Sequence, residues 1–331
     1  MLPFAHQLKG SSANVGARSL ADLCGMIEDA AALGIRVVAD AQSEPELMPR
    51  PTAYMPQMIA TVERLVESEH AYVAEDGVVY FDVQSFPEYG ALSGNALEDL
   101  RSGEGGRVDA ATQAIKRHPA DFMLWKPDPE HVMRWQSPWG EGYPGWHLEC
   151  TLMASRDPGL PLDIHFGGAD LAYPHHESEL LLANALGMGE YCRTWMHNGL
   201  MEDADGKLSK SHGERLTLAT VFEECPSAAL RFYLLQYHYR DFTPFSETAL
   251  KQACAEGEQL GWTAAEVLAS DGEGDPHKDI QLVNAEHVTE TLLARFEASM
   301  DDDLDTPQAM AALRELDTLA REWIDNGNEI G

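Results

Sequence analysis

The chain has 331 residues, 44% of them apolar, and a formal charge of −32 from 55 acids against 23 lysines and arginines. That length allows two or more domains with a sizeable core, and so negative a field excludes bulk binding of nucleic acid, leaving only local, basic contacts. Five scattered cysteines (Cys24, Cys150, Cys192, Cys225 and Cys254) argue against a disulfide scaffold, and with no spanning apolar run or signal peptide the expectation is a reduced, soluble, cytoplasmic protein carrying one metal thiolate.

Residues 5–16 read as a short helix ended by Gly16, and 18–33 as a second, with Leu20, Leu23, Cys24, Ile27, Ala30 and Ala31 at helical spacing. His6, Lys9 and Gly10 then share a face. A histidine beside a lysine, with no side chain at the next turn, suits a phosphoryl acceptor that docks a partner. From spacing alone, a surface histidine on an amphipathic helix is the plainer reading. Residues 35–53 form a linker containing Pro45, Pro49 and Pro51. Residues 54–68 place Met58, Ile59, Val62, Leu65 and Val66 on one helical face. Residues 72–74 and 78–81 flank Asp76-Gly77 as a hairpin. Residues 85–120 read as loops, 122–125 as a strand, and 137–145 as a rigid, turn-rich loop leading into the helix at Trp146.

Trp146 to Ser155 reads as a helix and Leu162 to His165 as a buried strand, followed by Gly167-Gly168. Two glycines there let a backbone approach a ligand closely, and Asp170 could accept from a ribose hydroxyl. A plain turn fits that short pattern as well. Pro174 suits the first turn of a new helix. On it His175 and Glu179 are four apart and point to one side. With Cys150 they make a thiolate, an imidazole and a carboxylate, a three-ligand set with an open position of the catalytic zinc type; an ordinary His–Glu pair on a surface helix is the plainer reading of the spacing. Lys207-Leu208-Ser209-Lys210-Ser211 reads as a mobile loop whose two cations close on a triphosphate.

Two stretches resemble known families. His-Gln-Leu-Lys-Gly-Ser-Ser-Ala-Asn-Val-Gly-Ala, from His6 on, resembles the histidine phosphotransfer (HPt) domains of phosphorelays, which implies His6 as phosphoacceptor and a response regulator as partner. A longer series resembles cysteinyl-tRNA synthetase, a class I aminoacyl-tRNA synthetase. It comprises Trp125-Lys126, Ser137-Pro138-Trp139-Gly140, Pro144 to Cys150, Gly168 to Glu179, Trp195 to Gly199, Lys207 to Ser211, His238-Tyr239-Arg240 and Met300 to Pro307.

That resemblance implies ATP-dependent activation of cysteine and its transfer to tRNA(Cys), with ATP as substrate and Zn(2+) as metal. It implies Cys150, His175 and Glu179 as three of four zinc ligands, and Trp146 lining the cysteine pocket. Gly167, Gly168, Asp170, His197, Gly199 and Lys210 become nucleotide contacts, and Lys207 and Lys210 the signature-loop lysines. Leu208 stands where the family has methionine, and His212-Gly213-Glu214 where it has leucine-glycine-asparagine. The expected fold is α/β: a partial class I synthetase Rossmann-type nucleotide-binding domain with a connective insertion, plus helical N- and C-terminal segments. The boundaries drawn are 1–40 (HPt-like pair), 41–120 (connective region), 121–215 (catalytic half with the Lys-Leu-Ser-Lys-Ser loop) and 216–331 (helical stem-contact region and start of a tRNA-binding bundle). The family's first zinc cysteine and its His-Ile-Gly-His motif have no counterpart in these residues. The parallel sheet is therefore expected to leave an apolar edge or to borrow cover from the first 34 residues, and the chain alone to be a poor catalyst. A cysteine ligase of mycothiol synthesis, with an amino-sugar acceptor, is the alternative of like chemistry. A phosphorelay module with a passive synthetase remnant is the alternative of another class.

Overall fold

A computed structural model describes residues 47–95, 114–203, 206–207, 221–222, 225, 227–269 and 279–325. It divides into two compact units, one ending at Asn198 and one starting, in its described part, at Gly199.

The first unit opens with α1 (Met55–Glu67), entered through a proline in its first turn. Proline is tolerated there because the missing N–H has no intrahelical partner anyway. Met55, Met58, Val62 and Leu65 recur at helical spacing and are all buried. Each stabilises by roughly 1.5–3 kcal/mol relative to exposure. Ser68 closes the helix by donating its N–H to Arg64 and Val66 carbonyls. The hairpin follows as β1 (Ala71–Val73) and β2 (Val79–Phe81), paired antiparallel. Its turn is set locally: the Val78 N–H donates to Asp76 Oδ1 at 3.1 Å, and Gly77 takes φ +82°, which a side chain would resist.

β3 (Phe122–Pro127) and β4 (Gly142–Pro144) extend this into a four-stranded antiparallel sheet in the order β1-β2-β3-β4. Buried Asp121 ties its edge, accepting from the Tyr72 hydroxyl at 2.7 Å, the Val83 N–H at 3.0 Å and the His118 N–H at 2.9 Å. Phe81, Leu124 and Trp125 from the sheet and Met58 and Leu65 from α1 form one core with Leu148 of α2 (Trp146–Ala154) and Leu181 and Leu182 of α3 (Glu177–Ala185). The helices that carry the chemical residues are thus seated on this sheet.

β5 (Leu162–Gly168) and β6 (Cys192–Asn198) form a parallel pair, His165 opposite Trp195 and Gly167 opposite His197. The strand expected at Leu162–His165 therefore runs on through both glycines, which end it rather than follow it. Ile164 and Phe166 on β5 remain 58% and 49% exposed, so β5 is not the buried strand expected at Leu162–His165. Pro174 does not start a helix. It lies in a wide turn, Ala172–His176, with Tyr173 extended (φ −134°, ψ 134°), the conformation a residue before proline is driven to. Regular α-helix begins at Glu177.

The second unit has a small sheet, β7 (Met201–Asp203) between β8 (Gly206–Lys207) and β9 (Thr243–Pro244). Four helices bear out the helical reading of this region: α4 (Ser227–Leu235), α5 (Glu247–Ala269), α6 (Asp279–Asp301) and α7 (Thr306–Asp325). Cys225 and Cys254 are joined by a disulfide, so the all-reduced expectation is corrected at that pair. Both lie against the buried cluster of Ala229, Leu230, Tyr233 and Leu250, and this packing brings together two thiols 29 residues apart. Among the described residues no helix is long and apolar enough to cross a membrane.

Candidate functional site

The site begins at Gly145. Its N–H donates to the Leu124 carbonyl at 2.8 Å, and a Cβ there would lie 1.9 Å from the Met123 carbonyl oxygen. Only glycine lets the chain leave β4 so close against β3 and turn into α2. One turn of α2 then presents Trp146 and Cys150, four apart, on one face. The turn before α3 presents His175 and His176, and the first turn of α3 presents Glu177 and Glu179.

These elements converge on Glu179, which is completely buried. His175 Nε2 lies 2.7 Å from Glu179 Oε1, and His165 Nε2 lies 2.9 Å from Oε2. Tyr191 donates its hydroxyl to Oε2 at 2.8 Å. The two imidazole contacts are close but misdirected for hydrogen bonds, since Glu179 Oε1 and His165 Nε2 are both buried without a hydrogen-bond partner. Cys150, His175 and Glu179 each offer one ligand atom, all within 4.8 Å of one another, and His165, His176 and Glu179 form a second such set. A soft sulfur, an imidazole and a carboxylate fit zinc, and the orphaned Oε1 gives that fit a structural sign.

Neighbours fix these side chains. The Trp146 ring stacks on His175 with centroids 4.1 Å apart, while Trp146 itself is 48% exposed and so walls an opening. His147 Nδ1 meets His175 Nδ1 at 2.7 Å, and His176 Nδ1 meets His197 Nε2 at 2.8 Å. Burial, then nearby His175, pushes His147 down to about 3, and burial, then His165, pushes His176 down to about 4, so both rings are neutral. Burial raises Glu179, but His165 and His175 outweigh it and hold the carboxyl at about 2. Burial, with Glu179 and Glu149 adding to it, pushes the Cys150 thiol up to about 12; a bound cation would reverse that sign.

Trp146, Cys150, His175 and Glu179 are therefore brought together. Gly168, Asp170 and His197 lie at the carboxyl ends of the β5–β6 pair, the end at which open α/β sheets receive ligands. Gly167 has another task than ligand approach: a Cβ there would lie 2.8 Å from His176 Cε1, so the ring fills that space. Gly199 packs on the Asp241 carbonyl oxygen, 1.8 Å from where a Cβ would be. Lys207 is not in a loop; its backbone pairs with Glu202 in the antiparallel β7–β8 pair. Lys210 and His6 lie outside the described residues. Sequence reasoning assigns no role to His147, His165, His176 or Tyr191. For His147 and His176 the signal is a histidine beside an assigned residue, in Trp146-His147 and His175-His176; His165 and Tyr191 carry no such signal.

Residues 15–255 match the family model described as the tRNA synthetases class I (C) catalytic domain, and 295–329 match the DALR domain. The first match starts inside residues 1–40, the segment expected from sequence to be an HPt-like pair. The cysteine–tRNA ligase of Alkalilimnicola ehrlichii is 42% identical over 296 residues, which is 88% of this chain and 58% of that protein. That of Methylobacillus flagellatus is 41% identical over 294 residues, 89% of this chain and 60% of that protein. The chain thus spans under two thirds of the length of these curated relatives. Among solved structures, the Mycobacterium tuberculosis methionyl-tRNA synthetase bound by methionyl-adenylate superposes with a TM-score of 0.56 at 14% identity, over 93% of this chain and 73% of that one. At that identity the likeness speaks for the fold alone. Matched along most of its length by a family model and by relatives that agree with one another, the chain belongs to the class I tRNA synthetases, in the cysteine–tRNA ligase family.

Proposed function

We propose that the chain serves the ATP-dependent activation of cysteine and its transfer to tRNA(Cys). The observation that carries this reading is the convergence of Cys150, His175 and Glu179 beside the stacked, half-exposed Trp146. Zinc held by those three residues would supply a soft Lewis acid that prefers a thiolate to a hydroxyl, which separates cysteine from serine. His147 orients His175, and Tyr191 and His165 hold Glu179. Trp146 walls the side-chain pocket. Asp170, Gly168 and His197, at the carboxyl ends of the parallel strands, suit the ribose and adenylate. Lys207 and Lys210 would neutralise charge as pyrophosphate leaves. Residues 1–331 assayed alone are expected to turn over slowly, because no His-Ile-Gly-His stretch to grip the phosphates occurs in them.

Cysteine-dependent ATP–pyrophosphate exchange tests the reading. Lys210→Ala should lower the rate by about 10²–10³, the usual cost of one preorganised charge-stabilising group. Zinc content of the purified chain should fall in Cys150→Ser. Exchange indifferent to Lys210→Ala, or equal zinc in both proteins, would sink the corresponding assignment.

A further inference from the structure

Glu179 is furnished differently on its two sides. Oε1 faces His175, on the side of Cys150. Oε2 faces His165 Nε2 at 2.9 Å and accepts the Tyr191 hydroxyl. His165, His176 and Glu179 place one ligand atom each within 4.8 Å of the others. His176 is 2% exposed, and with Nδ1 engaged by His197 its Nε2 is the nitrogen left over. An outer partner on one ring nitrogen is the usual way a ligating histidine is oriented. His165 Nε2 is buried, 2.9 Å from the carboxylate, and has no hydrogen-bond partner. A buried polar atom in that condition calls for an occupant.

We propose that His165, His176 and Glu179 form a second divalent-cation site, with Glu179 bridging it to the Cys150 side. Its ligands are two imidazoles and a carboxylate with no thiolate. That set suits an ion that favours nitrogen and oxygen, such as cobalt(II), nickel(II) or iron(II), more than one that depends on sulfur. Beyond the shared Glu179, the site uses two histidines, His165 and His176, that the cysteine-activation reading leaves without a metal role, and its test is separate from that reading's.

Cobalt(II) is the probe, titrated into the chelator-treated full chain and followed by absorbance and by equilibrium dialysis. Cobalt on Cys150 gives a near-ultraviolet thiolate charge-transfer band, whereas cobalt on His165 and His176 gives ligand-field absorption only. Cys150→Ser should lose the charge-transfer band and still bind one cobalt. In that background His197→Ala should weaken the remaining site about 10–100-fold, as loss of an orienting partner does, and His165→Gln should weaken it more. Circular dichroism checks that each variant is folded. The unmodified chain carries the same test without substitution: its charge-transfer band should saturate while a second equivalent continues to bind. Binding that stops at one equivalent, or a folded Cys150→Ser chain that binds no cobalt or is unaffected by His165→Gln, overturns the proposal. Ligand-field absorption with no charge-transfer band in the unmodified chain would sink the Cys150 assignment and leave this site standing.

Discussion

His147 and His175 meet nitrogen to nitrogen, Nδ1 to Nδ1 at 2.7 Å. One of the two nitrogens must carry the proton and the other accept it. If His175 turns its Nε2 lone pair to a metal, its Nδ1–H donates and His147 Nδ1 accepts. His147 is then a positioning residue. His147→Ala should weaken zinc about 10–100-fold through loss of this outer partner, read by chelator competition. His147→Asn, which can still accept, should restore part of the loss. Equal zinc affinity in the alanine variant would rule out that role for His147.

The buried carboxylate of Glu177 accepts the Gly90 N–H at 3.0 Å and the Ser93 N–H at 2.8 Å, fastening the loop before residue 95 to the helix that carries Glu179. Hydrogen bonds to a charged group contribute roughly 1.5–3 kcal/mol each. Glu177→Ala should lower the unfolding free energy in urea by at least that amount and speed amide exchange at Gly90 and Ser93. Unchanged exchange at both amides would show that the loop is held by something else.

A Cβ at Gly167 would press on His176 at Cε1 (2.8 Å) and Nε2 (3.1 Å). The ring is buried and cannot swing freely away. Gly167→Ala should therefore cost about 1–3 kcal/mol, the usual range for overpacking, and should break the His176–His197 contact. Thermal melts measure the first effect, and histidine NMR shifts the second. A variant as stable as the parent would mean that the strand yields instead.

Asp303 takes φ +52° and is clasped by Arg240, with Nε at 2.5 Å from Oδ2 and a second nitrogen at 3.1 Å from Oδ1, and by the Tyr239 hydroxyl at 2.7 Å. Arg240 first, and Tyr239 after it, hold its carboxyl at about 2, below the usual 3.8. Because folding lowers this pKa, the contact's contribution is fully present above the unfolded value and is lost as pH falls through the folded one. Asp303→Asn should lower Tm at neutral pH, and the gap between the two proteins should narrow below about pH 4. A gap that stays constant down to pH 2 would contradict the pairing.

Local rules made much of this legible. Asp76-Gly77 specified its turn, the period of Met58, Val62 and Leu65 specified α1, and the four-residue spacing of His175 and Glu179 survived even though His175 lies just before the helix. Long-range packing was not legible. Nothing near Gly167 in sequence says that its space belongs to a ring nine residues on, and nothing near Cys225 points to Cys254. The tyrosine that holds Glu179 comes from just before the next strand, twelve residues away. Such partners are set by how β5, β6 and α3 stack, and for the cysteines by how α4 and α5 pack, which no local pattern encodes.

From His175 to Glu179, five consecutive side chains are 5%, 2%, 1%, 1% and 0% exposed, and all five are polar. A hydropathy plot would draw this stretch as surface. Saturation mutagenesis should draw it as interior, because each substitution strands a polar neighbour as well as opening a void. Conservative apolar replacements, which a hydrophobic core often forgives, should be the least tolerated here. The segment should show the mutational intolerance of the middle of the protein under the composition of its outside.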